Sequence, residues 1–143
     1  MSVEPIFQAL NVGDELVNLV KEPVTKNQLV RYAGASGDFN PLHTDDESAR
    51  AVGFDGVIAH GMLVMGFLTQ AVTTWIPRRL FRKIKVRFKG VTLPGDVLTM
   101  TARVAEKRIE GSSGIVTCSI EAMDQDKDVK VAGTFEAVFP LQR

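Results

Sequence analysis

A chain of 143 residues has room for one substantial core and little space for a second, so residues 1–143 are expected to form a single domain. Hydrophobic residues make up 45% and charged residues 24%, the balance of a globular protein that folds in water. Lys and Arg total 17 and Asp and Glu total 17, which excludes a whole-chain attraction to nucleic acid or to anionic membrane.

The N-terminus, Met-Ser-Val-Glu-Pro, lacks the basic-then-apolar layout of a signal peptide, and a cytoplasmic location is the expectation. Val12-Gly-Asp14 predicts a turn and residues 15–22 a short strand. Thr25 followed by Gln28 has the pattern of a capping box, opening a helix that places Leu29, Tyr32 and Ala33 on one face. Gly34 and Gly37 are expected to end that helix. A second box, Thr44 followed by Glu47, predicts a helix through Ala49 and Val52 that stops at Gly53. Residues 37–43 are then an ordered loop pinned between two capped helices. Pro41 stiffens this loop by fixing its own φ and biasing Asn40 towards an extended conformation.

Residues 61–76 carry no charge and are apolar all round the helix, from Met62 to Trp75. The run is shorter than the roughly 20 residues that cross a bilayer. It reads instead as a helix buried inside its domain and closed by Pro77. The remainder predicts strands. Ile84, Val86 and Phe88 alternate with Lys83, Lys85, Arg87 and Lys89, giving one buried and one solvated face. Leu93-Pro-Gly-Asp96 is a turn, residues 97–108 a strand, 110–114 a hairpin loop, 115–123 a strand, 124–128 a charged turn and 129–139 the last strand. Cys118 falls within a strand and reads as a buried, inert thiol. One long apolar helix with a meander of strands predicts an α+β fold, a curved antiparallel sheet wrapped around a central helix.

The chemistry is concentrated in Tyr32-Ala-Gly-Ala-Ser-Gly-Asp-Phe-Asn-Pro-Leu-His43 and in Ile58-Ala-His-Gly-Met62. Asp38 and His43 stand five residues apart on a stiff loop, and Gly61 opens an apolar helix whose first amides have no intrahelical acceptor. Acid and base groups beside a helix N-terminus suit proton transfer next to a carbonyl whose oxygen becomes anionic. No Gly-rich phosphate loop and no Cys/His cluster at metal-ligand spacing is present, so neither metal nor cofactor is expected.

These two segments resemble the signature of the R-specific enoyl-CoA hydratases, also called hydratase 2 or MaoC-like dehydratases. The uncharged helix to Trp75, the Val86-x-Phe88 strand and Leu93-Pro-Gly-Asp96 follow in the order of that family, so the resemblance covers essentially the whole chain. It implies the hot-dog fold and reversible syn addition of water to a trans-2-enoyl thioester, giving the (R)-3-hydroxyacyl thioester. It also implies Asp38 as the base that takes a proton from water attacking C3. His43 would orient that water and handle the proton added at C2, and the Gly61 amide would hold the thioester oxygen. CoA or phosphopantetheine is implied as the substrate's carrier.

The remaining positions have two readings each. Asn40 holds the loop or a substrate amide. The family pattern gives the acid/base role to His43 and leaves His60 a structural part at the helix N-terminus. Thr69 either hydrogen-bonds Asp38 or is a tolerated polar core residue. Asn40, His60, Met62 and Thr69 are thus expected as supporting or substrate-binding residues. The basic run from Arg78 to Lys89 is a solvated face or a landing site for CoA phosphates or an acidic carrier protein. A homodimer or larger homo-oligomer is expected, with neither nucleic acid nor membrane as partner. The alternatives are the catalytic subunit of a hetero-oligomeric 3-hydroxyacyl-carrier-protein dehydratase and a hot-dog acyl-CoA thioesterase.

Overall fold

A computed structural model describes residues 3–142. Four α-helices, α1 Glu4–Ala9, α2 Lys26–Ser36, α3 Asp46–Ala51 and α4 Gly61–Trp75, accompany five strands, β1 Glu15–Val20, β2 Phe81–Phe88, β3 Thr99–Glu110, β4 Ser113–Met123 and β5 Val129–Pro140. The strands form one sheet in the order β1-β3-β4-β5-β2, with every pairing antiparallel. The β3–β4 hairpin is tighter than the sequence implies: Glu110 pairs with Ser113, leaving only Gly111 and Ser112 in the turn.

Alternation puts Met100, Val104, Cys118, Ile120, Ala122, Val131, Phe135 and Ala137 in the core. Helix α4 lies against β1, β2, β3 and β4 and buries Leu63, Val64, Phe67, Leu68, Ala71 and Val72. Each large side chain so buried contributes about 1.5–3 kcal/mol relative to exposure. The result is the α+β hot-dog architecture that the sequence predicts. Cys118 is fully buried, and that burial pushes its thiol up to about 12.

Several local expectations need correction. Helix α4 is not covered on every side, because the sheet wraps only part of it: Met62, Gly66, Gln70 and Thr74 are exposed. Helix α2 runs straight through Gly34, and it is Gly37, at φ 75°, that ends it. Asp45 rather than Thr44 caps α3, its carboxylate accepting from the Ser48 N–H at 3.1 Å. Thr44, at ψ −17°, still belongs to the preceding turn, whereas Asp45 has the extended backbone of an N-cap. Helix α1 lacks a periodic signal in the sequence. It is held by Phe7, whose ring sits 5.8 Å from that of Phe139 and under the Lys107 ammonium. Among the described residues no helix is long and apolar enough to cross a membrane.

Candidate active site

The site grows out of the end of α2. Thr25 Oγ1 caps that helix by accepting the Gln28 N–H at 3.0 Å, and Gly37 turns the chain in a left-handed conformation. A ladder of short side-chain bonds then fixes the loop. Asp38 N–H donates to Ser36 Oγ, Asp38 Oδ1 accepts the Asn40 N–H, and Asn40 Oδ1 accepts the Leu42 N–H. Asn40 therefore holds the loop, capping a 3₁₀ turn over Pro41–His43. Asp46 ties in the next segment by accepting from Val57 N–H at 2.9 Å and from Lys26 Nζ at 2.6 Å. Ile58 N–H reaches the Leu42 carbonyl, closing the segment onto the 3₁₀ turn.

These constraints bring Asp38, His43 and His60 together. His43 Nδ1 lies 2.7 Å from the Ile58 carbonyl, which can only accept, so in the neutral ring this nitrogen carries the proton and Nε2 is left with a free lone pair. That Nε2 faces Asp38 Oδ2 at 3.8 Å, with the Asp38 side chain 52% exposed and His43 11%. The gap exceeds a direct hydrogen bond and leaves the carboxylate open to a water or substrate oxygen that touches both groups. His60 is 1% exposed and stacks on His43, with ring centroids 3.8 Å apart. Its Nε2 lies 3.2 Å from the Asp38 carbonyl, and Tyr32 packs edge-on against it.

His60 is also the N-cap of α4, without a side-chain cap bond. The Gly61 and Met62 amides that follow have no intrahelical acceptor and sit at the positive end of the helix dipole. At Gly61 a Cβ would lie 3.0 Å from the Phe88 ring, so that ring packs closely on the start of the helix. Met62 and Phe88 are exposed here, as is Phe39 beside Asp38, giving the polar centre an apolar rim. Thr69 does not reach Asp38. Its hydroxyl donates to the Met65 and Gly66 carbonyls of its own helix, at 3.2 and 2.8 Å.

Donor atoms of Asp38, His43 and His60 lie within 4.8 Å of one another, yet they do not form a chelating set. Nitrogen lone pairs lie in the ring planes, and the two stacked rings run within 23° of parallel, so those lone pairs do not converge on one point. Burial holds the His60 imidazole below its ordinary value.

Sequence reasoning placed Asp38, His43, His60 and Gly61 near one another but missed three contacts. The Ile58 carbonyl that fixes the His43 tautomer is a backbone atom and leaves no residue-type signal. Phe88 and Tyr32 both stand in the segments that carry the family resemblance, but neither the packing of Phe88 on Gly61 nor that of Tyr32 on His60 could be read from them.

The chain is 28% identical over 132 residues to the mitochondrial 3-hydroxyacyl-[acyl-carrier-protein] dehydratase of Arabidopsis thaliana, covering 92% of this chain and 78% of that one. Over 82 residues it is 42% identical to the peroxisomal multifunctional enzyme type 2 of Drosophila melanogaster, which covers 55% of this chain but only 14% of that larger protein. The unliganded R-hydratase PhaJ1 of Pseudomonas aeruginosa superposes with a TM-score of 0.80 at 27% identity, covering 95% of this chain and 86% of that one. The MaoC-like domain family matches residues 8–125, most of the chain, and with its loop, buried helix and sheet in place this protein belongs to that family.

Proposed function

We propose that this protein adds water reversibly across the double bond of trans-2-enoyl thioesters, giving (R)-3-hydroxyacyl thioesters. The observation that carries the reading is the Asp38 carboxylate facing His43 Nε2 at 3.8 Å beside the uncapped start of α4. In the reacting form the proton of the pair sits on His43 Nε2, opposite the Asp38 carboxylate. Water held between them donates to Asp38 as its oxygen bonds to C3. The C2–C3 π electrons move onto the thioester oxygen, where the Gly61 amide stabilises the enolate; one such donor is worth about 3–4 kcal/mol. His43 then protonates C2, and the proton taken up by Asp38 returns to His43, restoring both groups. The R handedness rests on likeness to the R-hydratase. Loss of the enoyl absorbance of crotonyl-CoA without release of free thiol tests the reaction type, since a thioesterase would liberate the thiol.

The functional form is proposed to be a dimer. The uncovered face of α4, with Met62, Met65 and Gly66, and the open edge of β2 leave apolar surface and unpaired strand groups that a second copy would cover. Light scattering of the purified protein should give twice 15.6 kDa or more. A fully active monomer would contradict this. Should the chain alone prove monomeric and inactive, the reading as one subunit of a hetero-oligomeric dehydratase takes its place.

The carrier arm of the substrate is proposed to run along β2. Lys83, Lys85, Arg87 and Lys89 are exposed, and only Arg82 in this strand has an ion-pair partner among the described residues, Glu136 at 3.5 Å. The strand ends at Phe88, against Gly61, so the basic row leads to the site. Contacts with CoA phosphates or an acidic carrier protein are screened over about 10 Å at 0.1 M salt. KM should therefore rise with ionic strength while kcat changes little, and Lys85→Glu with Arg87→Glu should mimic high salt. A KM indifferent to both makes the row a solvated face.

A further inference from the structure

The two stacked imidazoles are not equivalent, and the difference deepens the hydratase reading on which this inference rests. His43 has an oxygen at each end of its ring: the Ile58 carbonyl at Nδ1 and the Asp38 carboxylate 3.8 Å from Nε2. Protonated, it would direct both N–H groups at oxygen. His60 has only one, the Asp38 carbonyl 3.2 Å from Nε2. Its Nδ1 is buried without a hydrogen-bond partner among the described residues, on a side chain 1% exposed. Because the carbonyl can only accept, the neutral His60 ring carries its proton on Nε2. A second proton would have to sit on Nδ1, out of water and facing no acceptor.

The groups that face His60 are Tyr32 from α2, Asp38 from the loop and His43 from the 3₁₀ turn. Asp38 turns its backbone carbonyl to His60 and its carboxylate to His43, so the two rings meet different oxygens of one residue. A charge on His60 would also repel one on His43 across 3.8 Å.

We infer that His60 is a positioning residue, held neutral as the Nε2–H tautomer, that leaves proton exchange at the site to His43. Its Nε2–H fixes the Asp38 peptide, while its ring packs on that of His43. His60 touches neither water nor substrate. It acts through the two groups that do.

Ring-nitrogen NMR of the full-length wild-type protein, from about pH 5 to 8, reads the charge directly. The expected spectrum shows His60 as the neutral Nε2–H form throughout. An imidazolium forming within that range, or an Nδ1–H tautomer, overturns the inference. Kinetics test the positioning. His60→Gln keeps an N–H donor for the Asp38 carbonyl, whereas His60→Phe keeps a stacking ring and loses the donor. At matched thermal stability, Phe should lower kcat by about tenfold or more, with KM within about twofold, and Gln should restore most of it. Wild-type kcat in the Phe variant, or an equal fall in both, overturns the positioning role. If neither variant folds, the wild-type spectrum decides. A wild-type protein with no hydration activity would sink the hydratase reading instead, leaving the spectrum to judge His60 by itself.

Discussion

Replacing Asp38 by Asn, or His43 by Gln, is expected to leave the fold intact and to lower enoyl-thioester hydration by about 10²–10⁴-fold. The fold survives because the loop bonds survive. Asn keeps an oxygen to accept the Asn40 N–H, and Gln keeps a donor for the Ile58 carbonyl. What disappears is the exchangeable proton at each end of the 3.8 Å gap. Because both groups act on one water, the double variant should be little worse than either single one. Circular dichroism and thermal melts check the fold, and crotonyl-CoA hydration checks the rate. Near-normal turnover by either folded variant would remove that residue from the mechanism.

Gly133→Ala is expected to have the largest effect on stability. A Cβ there would lie 1.8 Å from the Lys85 carbonyl oxygen and 2.7 Å from the Val86 Cα, both backbone atoms of the paired strand. No side chain can rotate away, so β2 must shift or detach from β5. Overpacking of this kind costs about 1–3 kcal/mol or more. For a chain of this size that lowers Tm by roughly 3–10 °C. Activity should fall with it, since β2 carries Phe88 against Gly61. An unchanged melting temperature would mean that β2 packs less closely on β5 than described.

The fold was legible wherever the signal was local and periodic. Alternation from Lys83 to Arg87, the turn at Leu93-Pro-Gly-Asp96 and the Thr25 cap all follow from residue type and spacing, whereas Phe88, expected on the buried face of its strand, is exposed at the strand end. Failures arose where two local choices were equally good. Thr44 and Asp45 are both short acceptors followed, three residues on, by a polar residue. Asp45 takes the cap of α3 because its backbone is extended, at ψ 112°, whereas Thr44 at ψ −17° still belongs to the preceding turn. Gly34 and Gly37 posed the same choice, settled by the left-handed φ at Gly37 alone.

Around the site, the residues within one loop were readable and those joined by the fold were not. Asp38, Asn40 and His43 lie within six positions, and their mutual bonds follow from Asx-turn chemistry. The stacking of His60 on His43 spans 17 positions and depends on Ile58 and Ala59 being anchored to Leu42 and Thr92. Thr69 shows the opposite case: a position two turns beyond Gly61 fitted an Asp38 contact, but the hydroxyl found carbonyls of its own helix closer to hand. The exposed side of α4 could not be read from an all-apolar run, because composition does not say how far round a helix the sheet will reach.

The most direct test of the central claim is chiral analysis of the product formed from crotonyl-CoA by the purified wild-type protein. The account predicts (R)-3-hydroxybutyryl-CoA as the sole major product, with the thioester intact. Mainly S product, free CoA without hydration, or no turnover alone or with a partner subunit would contradict it.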